Sequence, residues 1–147
     1  MKSMLQPEVR DEVRRRLASI PADRVARWGR MDAAQMVAHL ANAMRMSLGD
    51  LPVREKRIFL RYPPFKQLVL YVFPFPKGAP TARELIDRTP GDIDAERRDI
   101  DGLIERVAAR SLDSPTPAHP IFGPLTVRQW GFLGYKHSDH HLRQFGA

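Results

Sequence analysis

Three of the five histidines of this 147-residue chain fall in the stretch KHSDHHLRQF, residues 136–145. Histidine titrates near neutral pH and is the commonest metal ligand, so its spacing is the first place to look for chemistry. On a helix turning ~100° per residue, Trp130, Leu133, Gly134, His137, His141 and Gln144 share one stripe. His137 and His141 are then i, i+4 neighbours on one face. Two imidazoles so placed can reach one ion at nitrogen–metal distances of ~2.1 Å. His140 falls at the edge of the stripe, as an acid–base residue or a spare ligand. Five histidines produce this spacing by chance often enough that the pair alone carries little. The weight comes from Trp130 and Leu133, because a stripe they begin faces a core. Buried imidazoles side by side need hydrogen-bond partners or a shared ion. Zinc metalloproteases place Glu directly after the first His of HxxxH; Ser138 stands there instead, which disfavours that class.

A third ligand has two candidates. His39 has Gln35, Met36, Asn42, Ala43 and Met46 as helical neighbours, a semi-polar stripe suited to a pocket wall. Val37, Leu40, Ala41, Met44 and Leu48 form a separate apolar stripe that serves as core. A lone helical histidine is also a common boundary residue. His119, in AHPIFGP, is expected to be solvated unless its loop closes over a site. Gln35, Asn42 and Gln144 lie where they could orient the imidazoles.

The elements that must position these residues read as helices. PEVRDEVRRRLAS, 7–19, begins with Pro7, where a missing N–H costs nothing. Residues 32–48 carry Asp32 and Gln35 as a capping box and stop at Gly49-Asp50. Residues 54–75 read as helix, a break at Pro63-Pro64, then helix again. Residues 74–92 form a long turn-rich loop of the kind that borders functional sites. A further helix spans about 92–112, its first turn rich in acid. SPTPAHPIFGP is a loop, and Thr126 with Gln129 caps the last helix. No two-residue alternation appears. The expectation is an all-α single domain over 1–147, a four-helix bundle with the long loop and one additional short helix.

Bulk composition narrows the chemistry. The chain is 43% hydrophobic and 28% charged, as in ordinary globular proteins. With no cysteine there is no disulfide and no thiol nucleophile, so any metal must be held by His and carboxylate. The net charge of +7 invites a nucleic-acid reading. Residues 1–62 hold 13 Lys/Arg against 7 Asp/Glu, and residues 63–147 hold 11 against 10. Most of the cations are Arg interleaved with acid at helical spacing, and no groove-reading motif accompanies them, so nucleic acid is disfavoured as a partner. The first residues have no apolar signal-peptide core. The longest apolar run, LVLYVF at 68–73, is far short of the ~20 residues of a membrane span. A cytoplasmic protein with no membrane partner is the expectation. Phe132, Tyr135 and Leu142, on the other side of the last helix, make a homodimer conceivable.

Two stretches together resemble a known family. RWGRMDAAQMVAHLANAM puts a Trp-bearing segment before a helix with one His, and GYKHSDHHLRQF ends the chain's pattern with HxxxH. This arrangement resembles the DinB/YfiT-like superfamily of metalloenzymes, across nearly the whole length. The resemblance implies a four-helix bundle holding a divalent ion through three histidines from two helices, here His39, His137 and His141. Zn or Ni would be the first choices, with Co or Fe as alternatives. It also implies a metal-dependent transferase or hydrolase acting on a small molecule, with a low-molecular-weight thiol as one substrate. His140 is the catalytic candidate. The competing readings are a bundle that binds metal or ligand without turnover, and an Arg-rich partner-binding module whose histidines are incidental.

Overall fold

The computed structural model describes all 147 residues and contains five α-helices and no β-strand. They are α1 (Pro7–Ala18), α2 (Ala33–Leu48), the single turn α3 (Phe65–Gln67), α4 (Ile93–Ala108) and α5 (Val127–Gln144). Short 3₁₀ turns at Phe59–Arg61 and Arg83–Leu85 and a π-helical turn at Leu68–Val72 complete the regular structure. No helix is long and apolar enough to cross a membrane.

The two histidine-bearing helices begin as the sequence predicts. Gln35 N donates to Asp32 Oδ1 at 2.7 Å, and Asp32 N donates back to Gln35 Oε1 at 2.9 Å. Thr126 and Gln129 repeat the reciprocal pair at 3.2 and 3.0 Å. Each box satisfies two N–H groups that the first helical turn would leave unpaired. Helix α2 ends at Gly49, whose φ of +87° is a left-handed cap that only glycine takes without strain.

The four long helices share one core. Val13 and Leu17 of α1, Val37, Leu40, Ala41 and Met44 of α2, Ile100, Leu103 and Ile104 of α4 and Leu142 of α5 are all buried in it. A second, smaller cluster joins Met46, Leu70, Leu85, Phe122, Leu125, Trp130 and Leu133. Helices α2 and α5 contribute to both, so the stripe between the clusters is held from two sides. Leu142 lies in the main core, Tyr135 packs against it, and Phe132 meets the Tyr71 ring at 6.1 Å. These contacts account for their apolar character within the chain.

Three predicted helices come out shorter. Residues 54–58 are not helical, and only one 3₁₀ turn forms before Pro63. Four of those five side chains are charged, leaving almost nothing to bury, and a short helix without packing is unstable. Tyr62, before two prolines, sits at φ −108° and ψ 149°, where proline drives its predecessor. Lys56 N bonds to the Pro120 carbonyl at 2.8 Å instead of to its own segment. After the prolines the expected helix is a single α turn running into the π turn, closed by Phe73 N to Leu68 O at 2.9 Å. Helix α4 stops at Ala108 rather than 112, since Leu112 has no core to face and is exposed.

Candidate metal centre

His39 sits mid-way along α2, while His137 and His141 stand one turn apart on α5. Packing of these helices brings the three rings together, with each pair of centroids 4.8 Å apart. His137 Nε2 lies 3.0 Å from His39 Nε2 and 3.2 Å from His141 Nε2. One ligand nitrogen from each residue fits within 4.8 Å of the others. A tetrahedral ion bound at ~2.1 Å would hold its ligand nitrogens about 3.4 Å apart.

The donor set fits a cation better than it fits itself. An imidazole N–H points along one direction in the ring plane, so a proton on His137 Nε2 can serve only one of its two neighbours. Three converging Nε2 atoms therefore cannot all be satisfied by hydrogen bonds among themselves. An ion that accepts three lone pairs satisfies them together.

Charge works in the same direction. His39 and His141 are almost wholly buried, and burial lowers their pKa values to about 4 and about 3. The neighbouring imidazoles add to the effect at His141. At His137, burial and then His39 and His141 push the value well below the usual range. All three rings are neutral at physiological pH, the form that ligates metal.

Second contacts set the ring orientations. Gln144 Nε2 donates to the Trp28 carbonyl at 2.6 Å, which can only accept. Its Oε1 must then face His141 Nδ1, 2.7 Å away, so Nδ1 carries the proton and Nε2 keeps its lone pair for the centre. Gly29, with φ +83°, permits this clamp: a Cβ there would come within 2.6 Å of Gln144 Nε2. At His39, the Leu85 carbonyl partly offsets burial, yet Nδ1 has no well-formed hydrogen bond. Asn42 Nδ2 donates to that same carbonyl at 3.2 Å and so helps to place it. The loop bearing Leu85 is tied to α4 by buried Glu96, which accepts from Arg88 at 2.8 Å and from Gly91 N at 2.7 Å.

The remaining predicted residues separate. Gln35 is spent in the capping box and does not orient an imidazole. Gln144 acts directly and Asn42 at one remove, through Leu85. His140 is outside the trio, partly exposed, with its ring 5.0 Å from His141, 5.7 Å from Trp28 and 6.1 Å from Phe75. His119 does not join the centre. Its Nδ1 accepts from Ile121 N and Phe122 N at 3.1 and 3.2 Å, and its ring stacks on Phe122, so it braces its own loop.

Four contributors escape sequence reasoning. Phe75, flanked by prolines, leans over His137 and His140 at 6.0 and 6.1 Å. The Trp28 carbonyl and Gly29 lie in a turn-rich stretch where Trp28 stands out but nothing tells that its carbonyl would meet Gln144. The Leu85 carbonyl is backbone and leaves no signal at all. A cleft of about 420 Å³ reaches His39 between Arg30, Gln35, Asn42 and Arg88. Neither His137 nor His141 lines it, so it opens behind His39 rather than onto the trio.

Comparison with known proteins revises the lineage. No curated protein and no solved structure matches the chain. The resemblance to the DinB/YfiT-like superfamily is not upheld, because the family model that matches the whole chain is a different one. HxxxH plus one distant helical histidine is a geometry that helices reach readily, and it does not mark descent. The thiol substrate rested on that resemblance alone and goes with it. By the match of its model to residues 1–147, the chain belongs to the family described as protein of unknown function, DUF1569.

Proposed function

We propose that this protein binds one divalent transition-metal ion through Nε2 of His39, His137 and His141 and uses it on a small-molecule substrate, by hydrolysis or group transfer. The observation that carries the reading is the convergence of three neutral imidazoles, those of buried His39 and His141 and half-buried His137, with one nitrogen of each within 4.8 Å of the others. All-imidazole donors suit Zn and Ni first, then Co or Fe. Three protein ligands leave at least one coordination position for water or substrate, as in catalytic rather than structural sites. When bound, such an ion supplies Lewis acidity and a water with pKa near ~7.

The chain's own residues do the rest. The four long helices, read as a four-helix bundle, hold the rings in a fixed frame. Gln144 keeps the His141 lone pair aimed inward, and the Phe75 and Trp28 rings keep bulk water from one side. His140, at the rim, holds or passes a proton at its ring. Burial and Lys77 lower its pKa while Asp139 opposes them, so it stands ready as a neutral base at physiological pH.

Elemental analysis after reconstitution with Zn, Ni, Co or Fe tests the centre. One ion per chain is expected in the wild type, and none in His39→Ala or His137→Ala. A wild type that takes up none of the four metals sinks the reading. For the reaction, His140→Ala should keep the ion yet slow hydrolysis of activated esters; an unchanged rate removes His140 from the mechanism.

A further inference from the structure

Seven of the eleven exposed large hydrophobic side chains lie between residues 58 and 73: Ile58, Phe59, Tyr62, Phe65, Tyr71, Val72 and Phe73. Phe59, Tyr62 and Val72 each keep more than 60% of their surface in solvent. Soluble surfaces scatter such residues singly, and their concentration marks an interaction face. Residues 54–66 add Arg54, Lys56, Arg57, Arg61 and Lys66 against the lone carboxylate of Glu55. We infer that the face formed by residues 54–73 seats this protein on the surface of an anionic lipid bilayer.

The segment is held firmly from behind. Leu60, Val69 and Leu70 point into the second apolar cluster. Arg61 lies against Gly123, where a Cβ would meet its Nε at 2.9 Å, and Lys66 Nζ donates to the Pro124 carbonyl. With the inward side filled, the outward aromatics have no place in the core. They stand on a fixed platform beside the exposed Arg54, Lys56 and Arg57. Aromatic rings at headgroup depth with cations facing lipid phosphates are the two signals that stable interfacial binding combines.

Charge decides among the possible occupants. In a symmetric dimer the same patch would meet itself, setting the exposed Arg54, Lys56 and Arg57 against their own copies. Single-stranded nucleic acid shares the anionic charge but gains from stacking, which Ile58 and Val72 cannot supply. An acyl–headgroup boundary accommodates aliphatic and aromatic residues alike. The expectation of no membrane partner rested on the lack of a spanning segment, and a face that lies on a bilayer needs none.

Co-sedimentation of the full chain with vesicles tests the inference. Vesicles of phosphatidylcholine containing about a third phosphatidylglycerol should bind the protein, and pure phosphatidylcholine should bind it at least tenfold more weakly. Phe59→Ser combined with Phe73→Ser should weaken binding about tenfold or more with charge unchanged. Lys56→Glu and Arg57→Glu should each weaken it about fivefold or more, whereas Arg15→Glu, an exposed change on α1, should not. Circular dichroism checks that every variant folds, and the charge variants decide the matter if the aromatic pair does not. No binding to the anionic vesicles overturns the inference. So does equal weakening by Arg15→Glu, which would make the effect one of overall charge. A concentration-dependent dimer abolished by the aromatic changes assigns the face to a second copy. Tighter binding to single-stranded RNA with the same residue dependence assigns it to nucleic acid.

Discussion

Helices α2 and α5 and the segment 54–73 make opposite use of their residues. In the first pair nearly every side chain has a partner: caps close the ends, apolar stripes fill two clusters, and the polar stripe between them brings three imidazoles together. In the second, apolar and basic residues of equal helical promise stay outside, and regular structure shrinks to single turns. The difference lies in what each could bury. A capped helix with a complete apolar stripe is stabilised by its neighbours, while an uncapped segment interrupted by Pro63-Pro64 gains little from being helical.

Substitutions can break this contrast, and the largest effect belongs to the centre. His137→Ala removes the imidazole that lies against both others, and on the proposed reading bound metal should fall from one ion per chain to none by elemental analysis. Next comes the core that carries the three histidines. Leu40→Ala should cost about 2–5 kcal/mol in urea unfolding, since Leu40 is fully enclosed. Gln144→Ala should leave the fold intact but weaken metal affinity about 10–100-fold by isothermal titration, because His141 loses the partner that fixes its tautomer. Affinity equal to wild type would show that α5 alone orients the ring. The smallest effect is expected at the other region: Arg57→Ala should change stability by no more than about 0.5 kcal/mol. A larger loss there would erase the distinction.

Acidity sharpens the comparison from another direction. His39, His119 and His141 have folded-state pKa values of about 4, about 3 and about 3, each lowered first by burial from an ordinary 6.5. Below pH 6.5 the unfolded chain therefore binds more protons than the folded one. Stability should be level above pH 6.5 and fall steadily as pH drops toward 4, as measured by urea unfolding across that range. A bound ion should flatten the fall, because it holds the same nitrogens against protons.

Much of the centre was legible beforehand, for identifiable reasons. His137 and His141 were paired by spacing, and His39 was set apart by the polar character of its stripe. Both capping boxes are local signals, since each residue bonds to backbone three positions away, and both formed. Gln144 was found because it continues the same stripe. Gln35 was misjudged because its side chain turns back to the start of its own helix, three positions away, rather than across to the imidazoles. Phe75, Gly29 and Leu85 were missed because they reach the centre through loops whose path no periodicity encodes. The family resemblance failed where motif was taken for lineage.

The amino-acid sequence by itself determined the four long helices, their starts, and the stripe of α5 that carries His137, His141 and Gln144. These follow from caps, proline and the 3.6-residue period, which act within a few neighbours. Only the tertiary structure decided that His39 lies against His137 across 98 positions, that Trp28 clamps Gln144, and that residues 54–73 are left outside the core. Those outcomes depend on which surfaces remain to be covered once the helices meet, a competition over the whole chain that no local pattern contains.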